Sequence, residues 1–193
     1  NQAGALVHVY TDGSIQLNHG GTEMGQGLYT KIAQIVADVF GVDYETVMCT
    51  ATRTDKVPNS SPTAASSGTD LNGMAAQAAA EKIKHGLITF ACNHFEINEE
   101  EVRFSDGKVD VGEKSLTFKD FVQLAYRNRV NLSASGHYKT PKIYYDRSIG
   151  KGRPFLYYAN GAAVSEIVLD TLTGEYKVLR VDICHDVGRS INP

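Results

Sequence analysis

The chain has 193 residues, 42% of them hydrophobic, and a net charge of −3 at pH 7. This is a globular composition, long enough for one full core or two small ones. The sequence has no basic block that would favour nucleic acid or an anionic membrane surface, and no apolar run of the ~20 residues that span a bilayer.

The first forty residues predict a β-hairpin followed by a helix. Alternating apolar residues over 5–10 and 15–19 flank Asp12-Gly13, a pair typical of tight hairpin turns. Apolar residues from Leu28 to Phe40 then recur at helical spacing, and Gly41 suits the position after a helix end.

The rest of the chain alternates short strands with helices. The predicted elements are a strand at 47–52, a loop at 55–63, an Ala-rich helical region at 64–94 that Gly86 breaks or kinks, a hairpin at 102–104 and 108–111, a helix from 118 to about 129 capped by Thr117, a strand at 133–139, an exposed loop at 141–154, a hairpin at 162–169 and 176–183, and a loop at 185–193. Strands that come mostly as hairpins predict an α+β fold, with a hairpin-rich mixed sheet and helices packed against it.

The cysteines and the chain ends give expectations about metal sites, cellular location and domain organisation. Cys49, Cys92 and Cys184 are far apart, so they predict neither a zinc site nor a disulfide framework, and we interpret them as buried small hydrophobes. They fit a reducing compartment, and we expect a cytoplasmic location. Both ends look cut, so we expect residues 1–193 to be a segment of a domain in a larger chain, with sub-domains of about 1–95 and 96–193.

Two helix entrances are built from small residues. The stretch GGTEMGQG, residues 20–27, precedes the first predicted helix, and SSPTAASSGT, residues 60–69, precedes the second. Such entrances let a phosphate or a polar ring approach unpaired backbone N–H groups. Taken alone, each stretch is better explained as a tight turn or an ordinary helix cap, and the presence of two in one chain is what favours a shared ligand.

Few side chains suggest acid–base chemistry. Glu23 is the only carboxylate in either entrance, and we expect it to contact backbone N–H groups at the helix start rather than to act as a base. His185-Asp186 could form an acid–base pair, but adjacent residues in a strand point to opposite faces, which favours a structural role.

Three stretches carry a family resemblance. NQAGALVHVYTDGSIQLNHGGTEMGQGLYTK, VPNSSPTAASSGTDLNG and DVGRSINP resemble, in this order, the molybdenum-cofactor-binding subunit or domain of the xanthine dehydrogenase and aldehyde oxidase family. The resemblance implies a molybdenum ion held by the dithiolene of a pyranopterin. It implies cofactor-binding roles for Gly25, Gln26, Gly27, Thr63, Ala64, Ala65, Ser66 and Ser67, with the Ala65 backbone nearest the metal.

The resemblance also implies a reaction and its partners. The family oxidises purines such as hypoxanthine and xanthine, the latter to urate, or aldehydes, and electrons pass through iron–sulfur clusters and FAD to NAD. The catalytic base and the substrate-orienting residues belong to motifs that this segment lacks, so no catalytic residue is expected here. The implied partners are the rest of the molybdenum-binding chain and the iron–sulfur and FAD domains or subunit, without nucleic acid or membrane.

Two other functions stay open at this stage. One is a stand-alone phosphate- or nucleotide-binding module without catalysis, and the other is a structural or chaperone-like domain that has lost its active site. Both are compatible with small-residue helix entrances.

Overall fold

The computed structural model describes residues 1–57 and 59–192. Pro58, in the predicted loop 55–63, and Pro193, the last residue of DVGRSINP, lie outside the described residues. The described chain divides into two compact units, Asn1–Thr140 and Pro141–Pro193. This boundary lies well beyond the expected one near residue 95.

Unit 1 contains three α-helices and two sheets among its described residues. Its strands and helices are β1 Gln2–Val9, β2 Ile15–His19, α1 Leu28–Phe40, β3 Val47–Cys49, α2 Met74–Phe95, β4 Val102–Ser105, β5 Lys108–Val111, β6 Lys114–Thr117, α3 Phe118–Arg127 and β7 Ser133–Lys139. Strands and helices each make up about a third of the chain, so the predicted α+β class is confirmed.

The four-stranded sheet of unit 1 has the order β3-β2-β1-β7. It is mixed, because β1 pairs antiparallel with β2 and β7 while β2 pairs parallel with β3. The alternating apolar side chains of β1, such as Val7, are buried beneath the helices. The second sheet, of order β4-β5-β6, contains a strand, β6, that the sequence did not predict.

The three helices begin and end largely where the sequence indicates. Helix α1 is closed by Gly41 in the left-handed conformation, and the Thr117 hydroxyl accepts a hydrogen bond from the Asp120 amide at the start of α3. One turn of π-helix, Thr69–Gly73, leads into α2. Helix α2 runs unbroken through Gly86, so the predicted break is wrong.

The small residues of α2 let the sheet approach closely. Ala75, Ala76, Ala79 and Ala80 are fully buried, and a Cβ added at Gly136 of β7 would overlap the carbonyl oxygen of Ala75 and lie 2.6 Å from the Ala79 nitrogen. This contact joins residues on both sides of position 95 in one core, so 1–95 and 96–140 fall in the same unit.

Unit 2 consists of two β-ribbons and connecting loops among its described residues. Its strands are β8 Tyr144–Asp146, β9 Lys151–Arg153, β10 Gly161–Leu169 and β11 Tyr176–His185. The ribbon β10–β11 confirms the predicted hairpin. The ribbon β8–β9 corrects the prediction of a plain loop at 141–154, since Gly150 and Gly152 let the chain turn and pair there.

The cysteines differ in their surroundings. All three are free thiols; Cys49 and Cys92 are partly buried, whereas Cys184 is exposed. The interpretation of all three as buried small hydrophobes is therefore wrong for Cys184. None of the helices in the described chain has the length and hydrophobicity needed to cross a bilayer.

The close contact between β7 and α2 gives a stability prediction. We expect Gly136→Ala to lower the free energy of unfolding by about 3 kcal/mol or more, because the new methyl group overlaps the α2 backbone. Thermal unfolding measures the change. Gly86→Ala is the control, since its Cβ would have no atom within 4 Å, and we expect it to raise stability by up to about 1 kcal/mol. Equal effects of the two substitutions would contradict this packing.

Candidate functional site

The two small-residue entrances meet at one cavity of about 380 Å³. One wall is the loop at 20–27 with the start of α1, and the other is the loop at 60–68 with the π-turn. The lining residues are Met24, Gln26, Leu28, Lys31, Thr63, Ala64, Ala65, Ser66, Gly68 and Thr69. The two entrances therefore lie on a shared cavity.

Five of the eight residues implied to bind cofactor line this cavity, and three do not. The lining five are Gln26, Thr63, Ala64, Ala65 and Ser66; the other three are Gly25, Gly27 and Ser67. The most important residue missed is Lys31. Lys31 lies three residues after Leu28, so the two side chains share a face of α1. Extending the glycine-loop site to this face of the helix would have identified Lys31 from the sequence.

Glu23 occupies the N-terminus of α1. Its Oε1 accepts hydrogen bonds from the amides of Gly25 at 2.9 Å and Gly27 at 3.1 Å, and its Oε2 accepts one from Tyr29 at 3.0 Å. These hydrogen bonds hold the pKa of Glu23 below its usual range, and the bond from the Tyr29 amide has the largest effect. Glu23 thus makes the expected backbone contacts. The same bonds correct the expectation that the amides at this entrance are unpaired.

Gln26 ties its own loop together. Its Oε1 accepts a hydrogen bond from the Met24 amide at 2.6 Å, and its Nε2 donates one to the Thr22 carbonyl at 2.9 Å. A side-chain amide has two N–H donors and two acceptor lone pairs on its oxygen. One donor and one lone pair therefore remain for a ligand in the cavity.

The second loop has an unusual backbone. Ala65 and Ser66 both have positive φ, 53° and 55°, which is uncommon for residues other than glycine. Ser67 supports this shape, because its amide and its hydroxyl both donate to the Ala64 carbonyl, at 3.3 and 3.0 Å. Within the described chain the amides of Ala65 and Ser66 donate to no protein acceptor. Both residues are exposed and line the cavity.

The two loops are joined by direct contacts. The Thr22 amide donates to the Thr63 hydroxyl at 2.8 Å. Asn72, only 1% exposed, donates from Nδ2 to the Gly68 carbonyl at 2.9 Å and lies so close to Gly21 that a Cβ there would be 2.9 Å from Nδ2. Its Oδ1 has no partner among residues 1–57 and 59–192. A buried acceptor of this kind usually bonds to a water or a ligand.

A buried histidine supports the glycine loop from β2. His19 Nδ1 accepts a hydrogen bond from the Gly21 amide at 3.0 Å. Its Nε2 therefore carries the hydrogen and faces Cys49 Sγ at 3.1 Å. Its ring packs edge-on against Tyr29, with centroids 5.0 Å apart.

The surroundings of this pair keep both groups neutral. Burial lowers the pKa of His19 from 6.5 to about 4, against a smaller opposing effect of Glu23. Burial also raises the pKa of the Cys49 thiol to about 12. His19 is therefore a neutral imidazole with one fixed tautomer.

The remaining acid–base candidates, His185 and Asp186, do not form a metal site among the described residues. No group of three or more His, Cys, Asp or Glu side chains that could hold a metal ion occurs in the part of the chain that the structure describes. In unit 2, the Asp186 amide donates to the Asn160 carbonyl, and its Oδ1 accepts from the Gly188 amide at 2.9 Å. These bonds give Asp186 a local structural role.

The sequence is similar to known proteins over its whole length. The model of the molybdopterin cofactor-binding domain family matches residues 1–193. The chain is 48% identical to xanthine dehydrogenase of Dictyostelium discoideum and 44% identical to xanthine dehydrogenase/oxidase of Gallus gallus. Each match covers 100% of this chain and 13% of the relative. The chain thus spans about an eighth of the length of these relatives.

Solved structures have the same fold. Reconstituted CO dehydrogenase from Oligotropha carboxidovorans matches 99% of this chain and 23% of its own, with a TM-score of 0.81 at 27% identity. Quinoline 2-oxidoreductase from Pseudomonas putida 86 matches 100% of this chain and 24% of its own, with a TM-score of 0.81 at 24% identity. These similarities give no support to a stand-alone phosphate- or nucleotide-binding module.

The lowered pKa of His19 gives a prediction of pH dependence. Because protonation is favoured in the unfolded chain, the stability contributed by neutral His19 is complete above pH 6.5 and is lost as the pH falls towards 4. Between pH 7 and pH 5 we expect a loss of about 2 kcal/mol. The measurement is thermal or denaturant unfolding across this range.

Two variants separate His19 from other acid effects. His19→Gln should be less stable than wild type at pH 7 and should show a shallower fall towards pH 5. The exposed His85 on α2 provides the control, and His85→Gln should keep the wild-type pH profile. A wild-type profile in His19→Gln would show that the buried imidazole does not set the acid sensitivity.

Proposed function

Because this chain belongs to the molybdopterin cofactor-binding domain family, we propose that it is the central segment of the molybdenum-binding region of a xanthine dehydrogenase. The observation that carries the proposal is the cavity at which the loops of Gln26 and Ala65 meet. The support from sequence is the match of this whole chain to 13% of the length of xanthine dehydrogenases, at 44–48% identity.

The residues present fit a molybdopterin. A volume of about 380 Å³ lies within the range of small-molecule sites, roughly 300–1,000 Å³. The wall offers the amides of Ala65 and Ser66 and the remaining donor of Gln26, with no carboxylate among the lining residues. This donor set suits a flat, anionic, polar ligand.

We assign the cofactor contacts separately to the two loops that form the cavity walls. Gln26 would bind from the first loop, and 63–66 would bind from the second, with the Ala65 backbone nearest the metal. Gly25, Gly27 and Ser67 do not line the cavity, and their proposed role is to shape the loops that do: both glycines have positive φ, and the Ser67 hydroxyl closes the turn at Ala64.

The chemistry belongs to the complete protein. When bound, the molybdenum cofactor supplies the hydroxylating centre and accepts the reducing equivalents from the substrate. The residues of this segment bind the cofactor and orient it, and none of them is proposed to be catalytic. The substrate-binding residues and the base would come from chain outside residues 1–193.

The proposed whole-protein activity is the oxidation of hypoxanthine and xanthine to urate in purine catabolism. Electrons would pass through iron–sulfur clusters and FAD, in partner domains or a partner subunit, to NAD. A cytoplasmic location is part of the same proposal. The relatives are about eight times as long as this chain, which leaves room for these domains.

The role of Gln26 is tested in the full-length protein. We expect Gln26→Ala to lower the molybdenum-to-protein ratio severalfold, because a hydrogen-bonding group at the cavity wall is lost. The melting temperature of the cofactor-free protein should fall only slightly, because the two loop hydrogen bonds of Gln26 are exposed to solvent. The partly buried Gln16 of β2, substituted by Ala, controls for the loss of a side-chain amide elsewhere. An unchanged molybdenum ratio in Gln26→Ala would contradict the assignment.

The segment by itself should be inactive. We expect the purified 193-residue chain, supplied with xanthine and an artificial electron acceptor, to form no urate, because the proposed base and substrate-binding residues lie elsewhere. The full-length protein under the same conditions is the positive control. Steady urate formation by the segment would disprove this division of roles.

A further inference from the structure

Lys31 is the only charged residue among those that line the cavity. The other nine lining residues are neutral, and six of them are small residues of the types Gly, Ala, Ser and Thr. Its own amide donates to the Gly27 carbonyl at 3.1 Å, which fixes Lys31 on the first turns of α1. A single cation in a concave wall of small neutral residues is a site for an anionic group.

The helix end does not provide this positive charge. Glu23 accepts hydrogen bonds from the amides of Gly25, Gly27 and Tyr29, so the positive end of α1 already has a carboxylate bound to it. The helix dipole of α1 therefore contributes little attraction to an anion in the cavity. The one charge among the lining residues is that of Lys31.

The ammonium group of Lys31 is not used in an ion pair. Across residues 1–57 and 59–192 the salt bridges join Arg53 to Asp55 and Arg180 to Asp182 only. Lys31 is also partly buried, so a bound anion would be screened less by water and salt than at an exposed lysine. A lysine amine supplies a compact charge with three donors, which suits a phosphate oxygen.

We infer that Lys31 is the cationic residue that holds the phosphate of the pterin cofactor in this cavity. The exposed amides of Ala65 and Ser66, on the opposite loop, supply the neutral donors for the same ligand. This inference rests on the proposed function, because it needs the cofactor to bind here. It adds a specific charge-pairing role that the small-residue loops do not provide.

The test uses the full-length protein with Lys31→Met, Lys31→Gln and Lys31→Arg. Pterin content is measured as the fluorescent oxidised pterin released by acid, and retention is measured as the rate of pterin loss during dialysis. We expect loss to be about ten- to hundredfold faster in Lys31→Met and Lys31→Gln, because a charge-assisted hydrogen bond is removed. Lys31→Arg keeps the charge and should recover most of the retention.

A salt series distinguishes charge pairing from a structural role. Pterin loss from the wild-type protein should accelerate as ionic strength rises, whereas Lys31→Met should show a much weaker dependence. Lys82→Met is the control. Lys82 lies on α2, its amine donates to the Ser135 carbonyl at 2.8 Å, and it is not among the residues that line the cavity. It should keep both the pterin content and the salt dependence of the wild type.

The outcomes separate this inference from the proposed function. A wild-type protein without pterin would overturn the proposed function itself. A pterin-loaded wild type with equal retention in Lys31→Met would overturn only the role of Lys31. Full pterin content combined with a raised KM for an anionic purine would also overturn it, by assigning the charge to substrate. If Lys31→Met fails to fold, the comparison of Lys31→Gln with Lys31→Arg decides, and equal retention in the two contradicts charge pairing.

Discussion

The carboxylate of Glu23 determines how the first loop can be used. By accepting three amides within the stretch from Gly25 to Tyr29, it closes the start of α1 and folds the glycine loop back on itself. The loop needs glycine at position 27, where φ is 71°, so that the chain can pass from this turn into the helix. Without the carboxylate, these amides would have no partner inside the chain and the loop would lose its fixed path.

Small residues then bring the two loops together. Gly21 leaves space for Asn72, whose amide reaches the Gly68 carbonyl, and Thr22 reaches Thr63. Small residues also permit close packing in the core, where Gly136 of β7 contacts the backbone of α2 at its alanines. The cavity is thus a consequence of close backbone packing on both sides, and its wall is mainly backbone and small side chains.

Much of the fold follows from local patterns. The spacing from Leu28 to Phe40 predicts α1, and Thr117 marks the start of α3, because both signals are contained within a few residues. The ribbon β8–β9 carries no apolar alternation and was predicted as a loop, since its strands are exposed and pair through their backbones. The π-turn before α2 depends on packing around Asn72 and has no sequence signature of its own.

The site was predictable in part for the same reason. Composition indicates the two entrances, and a family resemblance relates them to one ligand, but neither shows which groups are already bonded. That the α1 amides are taken by Glu23, and that His19 is neutral beside Cys49, are facts of three-dimensional arrangement. Lys31 was overlooked because a lysine on an amphipathic helix is ordinarily assigned to solvent.

The left-handed pair Ala65-Ser66 has a consequence for how a ligand is received. Such conformations are costly for residues with a Cβ, on the order of 1–3 kcal/mol each in sparsely populated regions. The Ser67 hydroxyl and the Thr22–Thr63 hydrogen bond, both within the chain, hold the loop in this form. Most of the ordering entropy is therefore lost during folding. A ligand therefore binds to a loop that is already ordered, and its affinity is not reduced by the conformational entropy cost of ordering that loop.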